Sequence, residues 1–411
     1  MNSQHFDALI VGAGPAGSFA AERLAKGGAR VALFDGRPEG EPKACGGGVT
    51  AKALKAWPHL LDAVGRTVNE LEMYSPAGKH LHLKLDEPFA IYSRVAFDSY
   101  LRDRAKEAGA NVFFEKITAR GITRTESGWT LRGASGNDKS RERPAEWSGK
   151  ILIGADGANS PIAKKLAGPL QASDMEMAFG YRAPLPASFE APTVVSFLPG
   201  WDGYAWAFPR PDHLSFGIAT SQVSFDHEEL DSLLWDFLIR YYEGRLGKPP
   251  LRELTSDELE RGKEKFNDSI ERYAARIPKL REDTLAHRRT GSSAWALLGD
   301  AAGFADAVTG EGIYYALRSA ELFASAYIEG CPESYEFRWR KDFGRDLARA
   351  SKMRKRFYGN FVGDRFTDRM IQLSLRHPGI RQTLMDLVVG DLGYVNLKRK
   401  LVCRFLLPLA Y

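Results

Sequence analysis

Apolar and polar positions divide the chain into an opening β-α-β unit, a middle of aromatic strands and a helical tail. The apolar run 7–11 predicts a buried strand. It leads through Gly12-Ala13-Gly14-Pro15-Ala16-Gly17 into a helix over 18–26, and 30–34 predicts a second strand ending in Asp35. A glycine-rich loop occupies 38–50, and strand-like alternation returns over 71–91. Phe97, Tyr100, Leu101 and Ala105 share one helical face, which predicts a helix over 96–108 feeding a strand at 111–114. Short strands at 117–123 and 128–132 suggest a meander. The polar stretch 134–148 reads as a flexible hairpin connection to a strand at 150–154.

From 171 to 285 the period shortens to two. Strands at 177–181, 194–198, 204–208 and 214–219 predict an antiparallel sheet, with helices between 226 and 243 and over 257–266. A short strand at 295–298, an acidic Gly299-Asp300 turn, a glycine-punctuated loop and a helix follow. The tail is helical and basic. The expected class is α/β, α+β overall. A Rossmann-type nucleotide domain with a β-meander (1–70, 94–170, 289–330) is interrupted by an antiparallel-sheet substrate domain (71–93, 171–288). A helical C-terminal region (331–411) follows.

Composition narrows the class. The chain has 411 residues, 44% hydrophobic and 27% charged, which suits a globular protein of two domains. A net charge of +5 over that length makes a weak case for nucleic acid. Cys45, Cys331 and Cys403 are too few and too scattered for a disulfide framework or a zinc site, and the histidines show no ligand spacing, so no metal is expected. No signal-peptide core and no run near the roughly 20 apolar residues of a membrane span appear, which makes the cytoplasm the expected compartment.

The first motif carries chemistry. Gly12 permits the tight turn after the strand, Gly14 lets backbone approach a pyrophosphate, and Gly17 allows close helix–strand packing, with Ala16 between them. The helix N-terminus offers free N–H groups to phosphates. Asp35, about twenty residues further on, is placed to accept from ribose hydroxyls. This fingerprint alone serves NAD and FAD equally.

Two later segments separate them. Gly154-Ala155-Asp156-Gly157-Ala158-Asn159-Ser160 and Leu298-Gly299-Asp300-Ala301-Ala302 resemble the second and third signatures of para-hydroxybenzoate-hydroxylase-like flavoproteins, and Arg94 matches an arginine that family places against FAD. More narrowly, Lys43-Ala44-Cys45-Gly46-Gly47-Gly48, Tyr204-Ala205-Trp206-Ala207-Phe208-Pro209 and Thr309-Gly310-Glu311-Gly312-Ile313-Tyr314-Tyr315-Ala316 resemble the geranylgeranyl reductase family, and so does the tail GDLGYVNLKRKLV. That resemblance implies FAD as cofactor and saturation of C=C bonds of a polyprenyl chain by hydride from reduced flavin N5. It implies FAD contacts at Gly12, Gly14, Ala16, Gly17, Asp35, Cys45, Gly46, Gly48, Arg94, Asp156, Asp300, Gly310, Gly312 and Ile313, with Thr118 near adenine. Cys45, Tyr204 and Trp206 become the catalytic candidates. Phe179, Tyr181, Phe197, Tyr204, Trp206, Phe208 and Phe216 are the candidate wall for an isoprenoid or prenyl-lipid substrate.

Departures and rival readings stand beside this. Asp35 replaces a more usual Glu, and Ala307 stands where the family commonly has proline, which is expected to loosen the loop before Thr309. Sheet aromatics are more often core than ligand wall. Cys45 is either a small packing residue or a functional one, through proton delivery, flavin tuning or packing at the ring. The basic stretches 351–357 and 398–407 are either solvated helix faces or a peripheral membrane contact. The electron donor is either NAD(P)H or a small redox protein. A flavin monooxygenase or halogenase shares the FAD motifs, and halogenases carry a Trp-x-Trp-x-Ile-Pro element that YAWAFP partly echoes. A non-catalytic flavin-binding protein is the third reading.

Overall fold

The computed structural model describes residues 4–40, 43–133, 145–187, 190–220, 227–246, 254–361 and 364–406. The chain forms two compact units, each assembled from three segments.

The first unit comprises Met1–Lys43, Arg94–Asp174 and Ile277–Ala348. Its parallel strands run in the order Asn111–Phe113, Val31–Phe34, Gln4–Val11, Glu146–Gly154, with Trp295–Leu297 also parallel to the last. Their apolar runs are buried on both faces, as parallel sheets require; Ala8, Leu9, Ile10 and Val31 to Phe34 are inaccessible. Register aligns Val11 with Phe34 and with Gly154, and Gly154 with Leu297, so Gly12, Asp35, Ala155 and Leu298 leave the sheet along one carboxyl edge. Ligands of open α/β sheets bind at that edge. Ile117–Thr125 and Gly128–Gly133 form the expected meander onto Glu146–Gly154. The predicted flexible connection at 134–148 lies outside the described residues up to 144, and its end begins the Glu146–Gly154 strand.

The second unit comprises Ala44–Ser93, Met175–Arg276 and Arg349–Tyr411. Its eight-stranded sheet has the order Glu271–Pro278, Met175–Ala183, Leu214–Thr220, Gly203–Pro209, Val194–Ser196, Gly65–Tyr74, His80–Tyr92, Gly48–Val49. Most described pairs are antiparallel, and Val194–Ser196 runs parallel to Gly65–Tyr74. The helix His227–Tyr242 covers one face with Leu230, Leu234, Trp235, Phe237 and Tyr241. Helices Phe366–Arg376 and Pro378–Val388 put Met370, Ile371, Leu384 and Met385 against Val68, Leu81 and Leu83 of the hairpin.

Two boundaries and one strand differ from the pattern reading. Residues 44–70, expected with the nucleotide domain, belong to the sheet unit. The tail divides at 348/349, because Trp339 and Phe343 pack on Phe304, Phe343 on Tyr315 and Tyr335 on Phe323, all of the first unit. The strand Glu271–Pro278 escaped the pattern. Its sequence ERYAARIP alternates in exposure, but its outward positions are Arg272, Ala274 and Arg276, with Glu271 also exposed at its start, the charged dress of an edge strand.

Candidate active site and cofactor cradle

The first unit builds a nucleotide cradle from its two glycine turns. Gly12 has φ +105°, and a Cβ there would lie 2.3 Å from the Ala155 carbonyl oxygen. A Cβ on Gly17 would lie 1.8 Å from the Gly12 oxygen, so only hydrogen lets the helix approach. Gly14 differs. Its Cβ would meet nothing nearer than Arg94 Nη2 at 4.0 Å, and it precedes the helix Pro15–Lys26 with no side-chain cap and no acid in the first turn. The helix N–H groups therefore open onto free space of positive potential.

The acids and arginines around this turn form one cluster. Asp35 is buried; its Oδ1 accepts from the Arg37 backbone N–H at 3.2 Å and its Oδ2 from Arg102 Nη1 at 3.3 Å. Arg94 grips Asp98 through Nε (2.9 Å) and Nη2 (3.0 Å), and Arg37 Nη2 reaches Asp98 at 3.3 Å. Three guanidinium groups against two carboxylates leave one positive charge beside the open helix end. That balance fits a diphosphate. Arg37 Nε and Nη2 also donate to Asp35, each at 3.4 Å, so its roughly four lone-pair sites are engaged and a ribose hydroxyl would take the place of one of these long arginine bonds. Arg37, Asp98 and Arg102 escaped the sequence reading, although the i,i+4 spacing of Arg94 and Asp98 is a visible signal for that pair.

The second turn adjoins the first. Gly299 (φ +54°) leaves room for Ala16, whose Cβ would be 3.2 Å from a Cβ on Gly299. Asp300 follows in the short turn Gly299–Ala301, and a Cβ on Gly312 would press within 3.1 Å of its Oδ1. The helix Ile313–Ile328 starts at Gly312 without a side-chain cap or an acid in its first turn, a second open N-terminus beside Asp300. Gly310 has φ +72°. The expected loosening at Ala307 does not occur. Asp306, buried, accepts at Oδ1 from the N–H groups of Val308 (2.7 Å) and Thr309 (2.9 Å), and its own N–H donates to the Glu311 carbonyl. Asp306 supplies by hydrogen bonding the rigidity a proline supplies covalently.

Thr118 sits in an irregular stretch of the meander between Ile117 and Ile122, two residues after Lys116, which packs on Gly36 just after Asp35. Asp156 points its carboxyl toward a helix start. Ser160 Oγ and the Ile162 N–H donate to it, Ser160 caps Pro161–Leu166, and loss of hydration pushes the carboxyl up to about 6. Its visible partners are structural.

The second unit brings Cys45, Gly46 and Gly48 onto the aromatic strand. Tyr204, Trp206 and Phe208 alternate onto one face of Gly203–Pro209. Added Cβ atoms would lie 3.5 Å from Trp206 Nε1 and 3.4 Å from Phe208 at Gly46, and 3.5 Å from Phe208 at Gly48. The glycine loop therefore lies flat on the Trp206–Phe208 ledge. Gly217 gives the Trp206 indole its seat, where a Cβ would come within 2.5 Å of the ring. Cys45 is half-buried, and the Gly47 N–H donates to its Sγ at 3.3 Å.

The rest of the expected wall divides. Tyr181 and Phe216 are core. Phe216 is fully buried and packs on Phe237 with ring centroids 4.5 Å apart, while Tyr181 packs on Trp235 and donates its hydroxyl to Asp231. Phe179 lies against the same cluster under the His227–Tyr242 helix. These residues pair across strands on the face opposite Trp206, because a strand exposes alternate residues to opposite faces. Phe197 packs on Phe357 and Tyr358. Arg210, Ser215 and Tyr273, all near Cys45 or its partners, escaped the sequence reading.

The two open helix ends, the ribose acid and the second acidic turn define a flavoprotein of the FAD-binding class, and an FAD-binding-domain profile matches residues 5–203. The chain is 31% identical over 339 residues to geranylgeranyl diphosphate reductase of the cyanobacterium Synechocystis, a match spanning 78% of this chain and 74% of that one. Against the chloroplastic enzyme of that name from Nicotiana tabacum, identity is 29% over 347 residues, 80% of this chain and 68% of the relative. In fold, the chain resembles a geranylgeranyl bacteriochlorophyll reductase-like protein from Thermoplasma acidophilum (TM-score 0.73, 21% identity), covering 98% of this chain and 100% of that one. The chain belongs to the geranylgeranyl reductase family of FAD-dependent oxidoreductases.

Proposed function

We propose that this protein is an FAD-dependent reductase that saturates C=C bonds of a polyprenyl chain of the geranylgeranyl type. The observation that carries the reading is the Cys45–Gly48 loop laid on the Tyr204–Trp206–Phe208 face of the second unit; the charge of the first unit's cradle, taken by itself, suits FAD. Reduced FAD supplies a hydride at N5. The protein's own groups do the rest. Gly14, Arg94 and the helix ends would hold the diphosphate, Asp35 the ribose, and Asp300 the ribityl chain. The aromatic face of Tyr204 and Trp206 aligns an isoprene unit and excludes water. The Cys45 thiol is the group we assign to deliver the proton that completes the saturated bond, its proton count restored from solvent.

The physiological electron donor in this reading is NAD(P)H or a small redox protein, either of which would supply the reducing electrons. A peripheral membrane contact belongs to the same reading. Among the described residues no helix is long and apolar enough to cross a membrane. The outer face of Tyr394–Leu406 nonetheless exposes Val395, Val402 and Phe405 among Lys398 and Arg399, and the end of Phe366–Arg376 exposes Leu373, Leu375 and Arg376. Apolar side chains interleaved with cations suit an anionic bilayer surface, where a prenyl lipid resides.

The deciding experiment is anaerobic. Chemically reduced protein is mixed with geranylgeranyl diphosphate, a geranylgeranyl lipid and a prenyl quinone while flavin reoxidation and product mass are followed. Flavin reoxidation with product two mass units heavier per double bond supports the reading. Product formed only after oxygen is admitted would replace it with an oxygenase.

A further inference from the structure

The carbonyl of Cys45 is held by two donors that the catalytic reading does not use. Arg210 Nη2 donates to it at 2.6 Å and Ser215 Oγ at 3.4 Å. Arg210 is 3% exposed and follows directly on the Gly203–Pro209 strand. Its Nη1 lies 3.3 Å from His213 Nε2, and His213 Nδ1 lies 2.9 Å from Asp212 Oδ1. A guanidinium only donates, so His213 Nε2 is the acceptor and the ring proton sits on Nδ1, facing Asp212. The turn is closed by the Arg210 N–H bonding the His213 carbonyl at 2.8 Å. Arg210 is thus fixed from behind before it reaches the loop.

The loop is shaped to receive it. Gly47 has φ +82°, and a Cβ there would lie 2.3 Å from the Tyr92 oxygen and 2.9 Å from Arg210 Nη2. The Gly47 carbonyl accepts from the Tyr92 N–H at 2.9 Å, and the Gly47 N–H donates to Cys45 Sγ. Ser215, the second donor, accepts from Trp206 Nε1 at 3.4 Å. The Cys45 carbonyl is therefore the node where the arginine and the aromatic ledge meet, and the turn it anchors carries the Gly47 N–H that holds the thiol.

We propose that Arg210 is a positioning residue for the reaction: its guanidinium, backed by His213 and Asp212, locks the Cys45–Gly47 turn and thereby the direction of the Cys45 thiol. The inference rests on the reductase reading for its consequence in turnover, but the locking itself is measurable without turnover.

The test compares Arg210→Ala, Arg210→Lys and Ser215→Ala in FAD-loaded protein. Iodoacetamide labelling of Cys45 is followed by peptide mass, with Cys331 as internal reference, and kcat and KM for prenyl reduction are measured separately. A hydrogen bond to a charged donor predicts a fall in kcat of about tenfold or more in Arg210→Ala, with KM within about threefold. Cys45 labelling is expected to quicken several-fold while Cys331 does not change. Arg210→Lys, or millimolar guanidinium added to Arg210→Ala, is expected to restore part of kcat. Unchanged Cys45 labelling in both Arg210→Ala and Ser215→Ala overturns the proposal. So does a kcat loss that neither lysine nor guanidinium relieves. If Arg210→Ala does not fold, Ser215→Ala removes a donor from the same carbonyl without removing charge, and the labelling outcome decides. Wild-type protein that reduces no prenyl substrate refutes the reductase reading instead, and the labelling arms still judge the lock.

Discussion

Gly14→Ala separates binding from folding. The backbone at Gly14 is extended (φ −78°, ψ −171°), open to any residue, and the added methyl would meet nothing closer than Arg94 Nη2 at 4.0 Å. The free protein loses no contact. Removing glycine's freedom from the unfolded chain is expected to leave stability unchanged or raise it by about 0.4–1 kcal/mol. FAD must bring its diphosphate into the space that methyl occupies, at the uncapped start of Pro15–Lys26. Losing one or two charge-assisted hydrogen bonds there costs roughly 1.5–3 kcal/mol each, or about 10- to 100-fold or more in Kd. Gly17→Ala is the contrast. Its methyl would sit 1.8 Å from the Gly12 oxygen, so helix and turn must part and the apoprotein itself is destabilised. The assay is FAD titration of deflavinated protein by flavin fluorescence quenching, paired with thermal unfolding with and without FAD. At 100 times the wild-type Kd, FAD adds about 2.7 kcal/mol to wild type, and most of that increment is expected to vanish in Gly14→Ala. Gly14→Ala that binds FAD within threefold of wild type refutes the placement of the diphosphate. An apoprotein destabilised as much as Gly17→Ala refutes the reasoning about open space.

Two further outcomes are expected. The Asp156 carboxyl is raised from 3.8 to about 6 by burial, so its contribution is fully present below pH 4 and is lost as pH climbs through 6. Wild-type apoprotein should lose roughly 3 kcal/mol at most over that window through this group, and Asp156→Asn should flatten the fall; parallel urea midpoints for the two proteins at pH 4 and pH 7.5 would refute it. Phe405→Ser combined with Lys398→Glu and Arg399→Glu should abolish co-sedimentation with phosphatidylserine-containing vesicles while leaving FAD content intact, since those side chains are exposed and remote from the cradle in sequence; sedimentation equal to wild type would return the helix to an ordinary solvated face.

The parallel strands were legible because their sequences are short, apolar and followed by glycine turns. The helix over 18–26 emerges as Pro15–Lys26, since proline suits the first helical turn and its ring is no obstacle there. The cofactor turns were legible for a related reason: φ above zero and backbone contacts under 2.5 Å leave glycine no alternative at Gly12, and such positions mark themselves. The Glu271–Pro278 strand was hidden because an edge strand spends its outward positions on charge. Asp306 was hidden because a loop tied by one carboxylate carries no periodic signal.

What the sequence determined by itself is the cofactor class and the family, because glycine turns and the acids that follow them answer to local backbone sterics and short-range hydrogen bonds. Which aromatics form a working face was decided only in the tertiary structure. Tyr181, Phe216 and Trp206 look alike along the chain, each an aromatic in an alternating strand. Cross-strand register puts the first two under the covering helix and Trp206, likewise buried, on the opposite face against Gly46, since the face a strand residue occupies has meaning only once its neighbours and its cover are in place. The same holds for Arg210, an ordinary charge in sequence, which acquires a role when a turn through His213 aims it at a carbonyl 165 residues away.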